Sequence, residues 1–411
     1  MKKKHWAIFI DNSSDKSHLI DELLNHPANI GFKELNGQRG ILFSKLALEQ
    51  FMDEEERHGI KTITSDTLQS LTTRSSGEQK KALLKHVLKS NPQFIILDNP
   101  FDNLDTVSQE DFKHQLQKIT RHTSIVQLIS RASDLLPFVN TFARLKNTDL
   151  TFYPNVKQAR ISNSSENFDG TIPSPIEKMD FEGDILIELN HVNVSYSGKP
   201  ILNNISWKIQ KGSFWELRGK NGSGKTTILS MITGENPKGY GENLFIFGQK
   251  KGSGESVWDI KKRIGYFTPA MTDKFMGYHT VQNMLISGLT DSIGLYVRPT
   301  EAQTRLAKEW LALIGMWNKK DSLFHDLTMG QKRLVMCARA MVKHPLLLIL
   351  DEPTAGLDDA SALLFVALVN KFAKESDTTI VFVSHRREPS LNPDYIYELT
   401  MEENGSTGRL K

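Results

Sequence analysis

Three groups of residues in this chain have the types and spacing for chemistry on a nucleoside triphosphate. The first is Gly219-Lys220-Asn221-Gly222-Ser223-Gly224-Lys225-Thr226, followed by Thr227, which fits the pattern G-x-x-x-x-G-K-[ST]. Glycines let the backbone wrap closely around an anion, so that amide N–H groups and the next helix N-terminus face the phosphates. Lys225 is placed to reach the β- and γ-phosphates, and the Thr226 hydroxyl to bind Mg²⁺. The second group is Asp351-Glu352, where Asp351 can hold the Mg²⁺ shell and Glu352 can polarise a water for in-line attack on the γ-phosphorus. The third is His385, which can contact the γ-phosphate and couple hydrolysis to movement. Tyr196 is a candidate for stacking on adenine. The expected ligands are therefore ATP and Mg²⁺.

These side chains need a parallel sheet with its strand ends gathered on one edge. Phe214, Trp215 and Leu217 form a short apolar strand before the glycine-rich run, and Ile228, Leu229, Met231 and Ile232 follow it at helical spacing. Leu346 to Leu350 and Thr379 to Val383 are continuous apolar runs, as strands buried on both faces require. Each ends in its candidate residues, Asp351-Glu352 or Ser384-His385, and α/β sheets bind ligands at strand C-termini. Ile187 to Leu189 and Val192 to Tyr196 alternate as earlier strands, Ile264 to Phe267 adds another, and Thr280 to Trp317 takes helical spacing. The fold class is α/β.

Organisation and composition narrow the field. Residues 1–153 alternate strand and helix, 154–184 read as a linker that includes Ser162-Asn163-Ser164-Ser165-Glu166-Asn167, and 185–411 form the second domain. With 411 residues, the chain has room for two well-buried cores. Its 51 basic and 48 acidic residues leave a formal charge of +3, too balanced for a nucleic-acid signature. The single cysteine, Cys337, sits in an apolar helical run, so a disulfide framework is excluded and a cytoplasmic setting is expected. No apolar stretch approaches a membrane span, and no cleavage site follows Met1-Lys2-Lys3-Lys4.

On these motifs the sequence resembles the ATP-binding cassette (ABC) ATPases. Gly219 to Thr226 resembles Walker A, Leu347 to Glu352 Walker B, Ala355-Gly356-Leu357-Asp358 the D-loop and His385 the switch histidine. Leu327-Thr328-Met329-Gly330-Gln331 resembles the signature LSGGQ, with Thr328 and Met329 replacing Ser and the first Gly. Pro269 stands where the Q-loop glutamine is expected. Three further stretches are similar to the twin-cassette ATPases associated with bacterial molybdate transport. They are Pro200 to Trp207, Gly252-Ser253-Gly254-Glu255 with Trp258 to Lys262, and Ser287-Gly288 with Asp291 to Gly294.

The first domain reads as a worn copy of the second. Ile10-Asp11-Asn12-Ser13-Ser14-Asp15-Lys16-Ser17 aligns with the phosphate loop, but Ile10 and Asp15 replace its defining glycines. Arg74-Ser75-Ser76-Gly77-Glu78 matches the signature, Ile95 to Asp98 Walker B, and Asn103-Leu104-Asp105 the D-loop. Gly77 lies 21 positions before Asp98, and Gly330 lies 21 before Asp351. Asn99 stands in place of the catalytic glutamate and Ser130-Arg131 in place of the histidine. Thr226 to Thr328 spans 102 positions but Ser17 to Ser75 only 58, so this copy has lost part of its helical subdomain. The expected architecture is two P-loop ABC nucleotide-binding domains in tandem, the first truncated and degenerate.

The resemblance implies more. Cassettes of that family pair head to tail, each ATP lying between one Walker A and the other's signature. Ser75 and Gly77 would then complete the site built by Lys225, Asp351 and Glu352, with pairing within the chain and a homodimer as the other arrangement. Ser75 at a helix start can also serve simply as its cap. The function implied is an ATPase energising a transporter, of molybdate or a similar oxyanion, through permease subunits at the inner face of the membrane. The alternatives are a soluble mechanochemical ATPase acting on ribosome or nucleic acid, and a nucleotide-binding regulator.

Overall fold

The computed structural model describes residues 3–64, 70–160, 168–254, 256–275 and 277–411, with the backbone alone at 273 and 274. The run from Ser162 to Asn167 and Glu255 lie outside the described residues. Two compact units are present, Met1–Ser164 with Gly356–Ala360, and Ser165–Ala355 with Ser361–Lys411.

The first unit is built on strands β1 (His5–Phe9), β2 (Gly40–Phe43), β3 (Phe94–Asp98), β4 (Ser124–Ile129), β5 (Thr141–Lys146) and β6 (Asp149–Tyr153). They form one sheet in the order β2-β3-β4-β1-β5-β6, parallel except for the terminal β5/β6 pair. Alternating side chains of β1 feed two cores, Ala7 and Phe9 on one face and Trp6 and Ile8 on the other. Helices Ser76–Lys89 and Thr106–Ile119 cover the first face through Leu83, Leu84, Phe112 and Leu116. Helix Lys16–Asn25 covers the second through Leu19 and Leu23.

The second unit has an antiparallel sheet and a parallel one. Strands β7 (Ile185–Tyr196), β8 (Lys199–Gln210), β10 (Leu244–Ile246) and β11 (Gln249–Lys250) make the first, in the order β11-β10-β7-β8, while β9 is Phe214–Gly219. The parallel sheet adds β12 (Ile264–Phe267), β13 (Leu347–Asp351), β14 (Thr379–Ser384), β15 (Tyr395–Thr400) and β16 (Thr407–Leu410), in the order β12-β13-β14-β9-β15-β16, with β15/β16 antiparallel. Helices Val281–Ile286, Glu301–Leu313 and Met329–Met341 carry its helical part. Before the first of these strands, the His344 ring pairs with the Pro173 carbonyl at 2.7 Å, and Met179 and Phe181 pack on the core.

The two parallel sheets have the same order when β1 to β6 are read as β9 and β12 to β16, and the register agrees as well. Trp6 lies beside Val126 and Trp215 beside Val381; Asp98 lies beside Leu128 and Asp351 beside Val383. The next residue takes a left-handed backbone in both sheets, with φ of 41° at Asn99 and 52° at Glu352. Its amide donates to the equivalent carbonyl, Leu128 at 3.0 Å or Val383 at 2.9 Å. The repeat read from motif spacing is therefore a repeat of topology and backbone conformation. Among the described residues, the first unit has no counterpart of the antiparallel sheet.

Candidate nucleotide-binding and hydrolytic site

β9 ends at Gly219 and the helix Lys225–Ile232 begins after the glycine-rich turn. The turn needs φ of 80° at Gly222 and 89° at Gly224. A Cβ on Gly224 would lie 2.5 Å from Leu202 Cδ2, and one on Gly219 would lie 2.4 Å from Ser223 Oγ. Conformation and space thus both require glycine at Gly224. Asn221 and Thr227 are half-buried, and Thr226 is exposed in the first helical turn.

Lys225 is buried, and its ammonium donates to the carbonyls of Gly219 at 2.7 Å and Lys220 at 3.2 Å, while lying 3.9 Å from Glu352 Oε1. Glu352 is hydrogen-bonded through Oε2 to His385 Nδ1, which couples the ends of β13 and β14. Asp351 is buried beside Glu352, and desolvation with that neighbouring charge pushes its pKa up to about 6. The chain concentrates acidic groups where a divalent cation would offset them.

Among the described residues, two buried polar atoms here have no hydrogen-bond partner, Ser223 Oγ in the loop and His385 Nε2 beyond Glu352. Buried polar groups are costly when unpaired, and a phosphate oxygen supplies the acceptor that the Ser223 hydroxyl can use. The glycine cradle, the helix N-terminus and this unpaired hydroxyl fit ATP. Thr226 and Asp351, a hydroxyl and a carboxylate, fit Mg²⁺, which prefers hard oxygen ligands. That ion, when bound, offsets charge building on the phosphoryl oxygens. Glu352 is then the group that can take the proton from an attacking water, with His385 holding its carboxylate in place.

Tyr196 stands at the end of β7, its hydroxyl accepting from Asn236 Nδ2 at 2.7 Å and Lys238 lying 5.6 Å over its ring. A purine stacking there would use a ring that already carries a cation. Pro269 opens the helix Pro269–Lys274 and offers no polar side chain. Sequence reasoning missed Tyr266, whose hydroxyl donates to Asp351 Oδ2 at 3.4 Å. Its place three residues before Pro269, on the strand flanking β13, was the available signal.

The equivalent loop of the first unit is filled by its own side chains. Asp15 has φ of −78° where Gly224 has 89°, and its carboxylate accepts from the His18 amide at 3.0 Å, at the helix N-terminus that phosphate would need. Lys16 is held by both oxygens of Asp98 at 3.1 and 3.0 Å. Asn99 Oδ1 accepts from the Ser130 amide and hydroxyl at 3.0 and 3.1 Å, replacing the Glu352–His385 pair. Ser75 caps the helix Ser76–Lys89 in a reciprocal box with Glu78, as Thr328 and Gln331 do for Met329–Met341. Gly77 is half-buried, and a Cβ there would lie 3.0 Å from Ser108 Oγ.

One nucleotide per chain is therefore the expected stoichiometry with Mg²⁺ present, measurable by equilibrium dialysis with labelled ATP. Two at saturation would show that Asp15 yields to phosphate.

A parallel sheet with a glycine cradle, lysine, paired acids and histidine at its strand ends defines a P-loop nucleotide hydrolase. The family model described as "ABC transporter" matches residues 202–355. The ABC transporter ATP-binding protein ModF of Escherichia coli (strain K12) is 38% identical over 328 residues, covering 76% of this chain and 67% of that protein. That stretch is too long to lie within residues 185–411 alone. An uncharacterised ABC transporter ATP-binding protein of Schizosaccharomyces pombe is 31% identical, covering 77% of this chain and 66% of that protein. The chain thus spans about two thirds of the length of these relatives. The chain belongs to the ATP-binding cassette family of ATPases. In fold it is similar to the archaeal ribosome recycling factor aABCE1 solved with stalk protein aP1, with TM-score 0.62 and 15% identity over 98% of this chain and 85% of that one.

Proposed function

We propose that this chain hydrolyses ATP at one composite site and so energises a transporter, with molybdate or a similar oxyanion as cargo. The observation that carries the reading is the asymmetry between its two loops. Lys225, Asp351, Glu352 and His385 stand together near the unpaired Ser223 hydroxyl, whereas Asp15, Asp98 and Asn99 close the equivalent place with internal bonds. The proposed division is a degenerate cassette at 1–153, a linker at 154–184 and an intact cassette at 185–411. Ser75 and Gly77 are proposed to complete the intact site from the first cassette, and Tyr196 to contact the adenine. Permease subunits would supply the membrane path, with this chain at the inner face. The name carried by the Escherichia coli relative, an ABC transporter ATP-binding protein, supports the transport role.

The test is uptake of labelled molybdate by cells lacking the gene. Uptake should fall, recover with the full chain and stay low with Glu352→Gln. Unchanged molybdate uptake, with the chain sedimenting with ribosomes in an ATP-dependent way, would replace the transport reading with action on the ribosome.

A further inference from the structure

The intact site has a gap in its acidic half. Asp351 is buried, and position 269 supplies no polar side chain to orient its carboxylate. We infer that the phenol of Tyr266 is the positioning residue for Asp351, holding Oδ2 so that Oδ1 is left to the metal ion. This rests on the proposed Mg²⁺-dependent ATPase site.

Strand register makes the contact possible. β12 and β13 run parallel with Tyr266 beside Ile349, and Asp351 lies two residues further along, on the same face. An aromatic side chain spans that diagonal, and the hydroxyl arrives 3.4 Å from Asp351 Oδ2. The distance is long for a hydroxyl–carboxylate bond, as for a contact that orients the carboxylate more than it binds it. Among the described residues, Tyr266 is the side chain that hydrogen-bonds Asp351.

The ring is half-buried along a groove of about 630 Å³ whose walls include Met179, Trp258 and Met271 beside charged groups such as Glu235 and Lys261. Groups that orient a metal ligand from behind commonly change metal affinity when removed.

Tyr266→Phe keeps the ring and deletes the contact. The readout is Mn²⁺ affinity of the full chain with a non-hydrolysable ATP analogue, followed by electron paramagnetic resonance. Mn²⁺ binding should weaken about 10-fold. Analogue affinity without metal and the thermal midpoint should stay unchanged, because a purely structural role would move those two. Unchanged Mn²⁺ affinity in Tyr266→Phe, with normal metal-dependent binding in the wild type, overturns the inference. Absence of metal-dependent nucleotide binding in the wild type itself removes the ATPase-site reading, and this inference with it.

Discussion

Glu352→Gln is expected to stop ATP turnover and to leave ATP binding in place. The amide keeps the size of the carboxylate and can still hydrogen-bond the His385 ring, so the ends of β13 and β14 stay joined. What is lost is the base that receives the proton from the attacking water. A general base is worth about 10²- to 10⁴-fold in rate, so phosphate release should drop by at least about 100-fold. ATP affinity should change little, because Lys225, the glycine cradle and Asp351 are intact. Phosphate release and calorimetric ATP binding, measured on one preparation, separate these effects. Turnover within about twofold of wild type would place the base elsewhere.

The second large effect comes from a residue in the other cassette. In the proposed composite site, Gly77→Asp sets a negative charge near the γ-phosphate. At an effective dielectric of about 20 and a separation of about 4 Å, one like-charge pair costs about 4 kcal/mol, or about three decades. ATPase activity should therefore fall by orders of magnitude, although Gly77 lies outside the intact cassette. Gly330→Asp, the equivalent change in the second signature, sets no charge near that phosphate and should cost less activity per folded molecule; because Gly330 is buried, circular dichroism checks this variant too. A Cβ at Gly77 also approaches Ser108 Oγ at 3.0 Å, a hydroxyl that can rotate away, and circular dichroism checks that the helix survives. A damaging Gly330→Asp with a mild Gly77→Asp would mean that intact sites pair between two chains, leaving the first cassette as a docking module.

Much of the site was legible because its chemistry is local in sequence. A phosphate cradle must be contiguous, since successive backbone amides surround one anion, so Gly219 to Thr226 announced itself. The apolar runs ending in Asp351-Glu352 and His385 were equally plain, because a strand buried on both faces admits few polar residues before its end. Even the repeat was visible, through equal spacing of Gly77 to Asp98 and Gly330 to Asp351.

Sequence alone thus determined the family, the strand ends that carry the acids and histidine, and which loop had lost its glycines. Tertiary structure decided how the damaged loop is closed. Asp15 was readable as a charge repelling phosphate, but only the fold shows it capping its own helix while Lys16 binds Asp98, 82 residues away. It also decided that Ser75 forms a capping box, and that Tyr266 meets Asp351 across 85 positions of chain. Such contacts depend on strand order and register, which bring distant segments side by side. No spacing rule along the chain encodes them, because the intervening loops can vary in length without changing which residues meet.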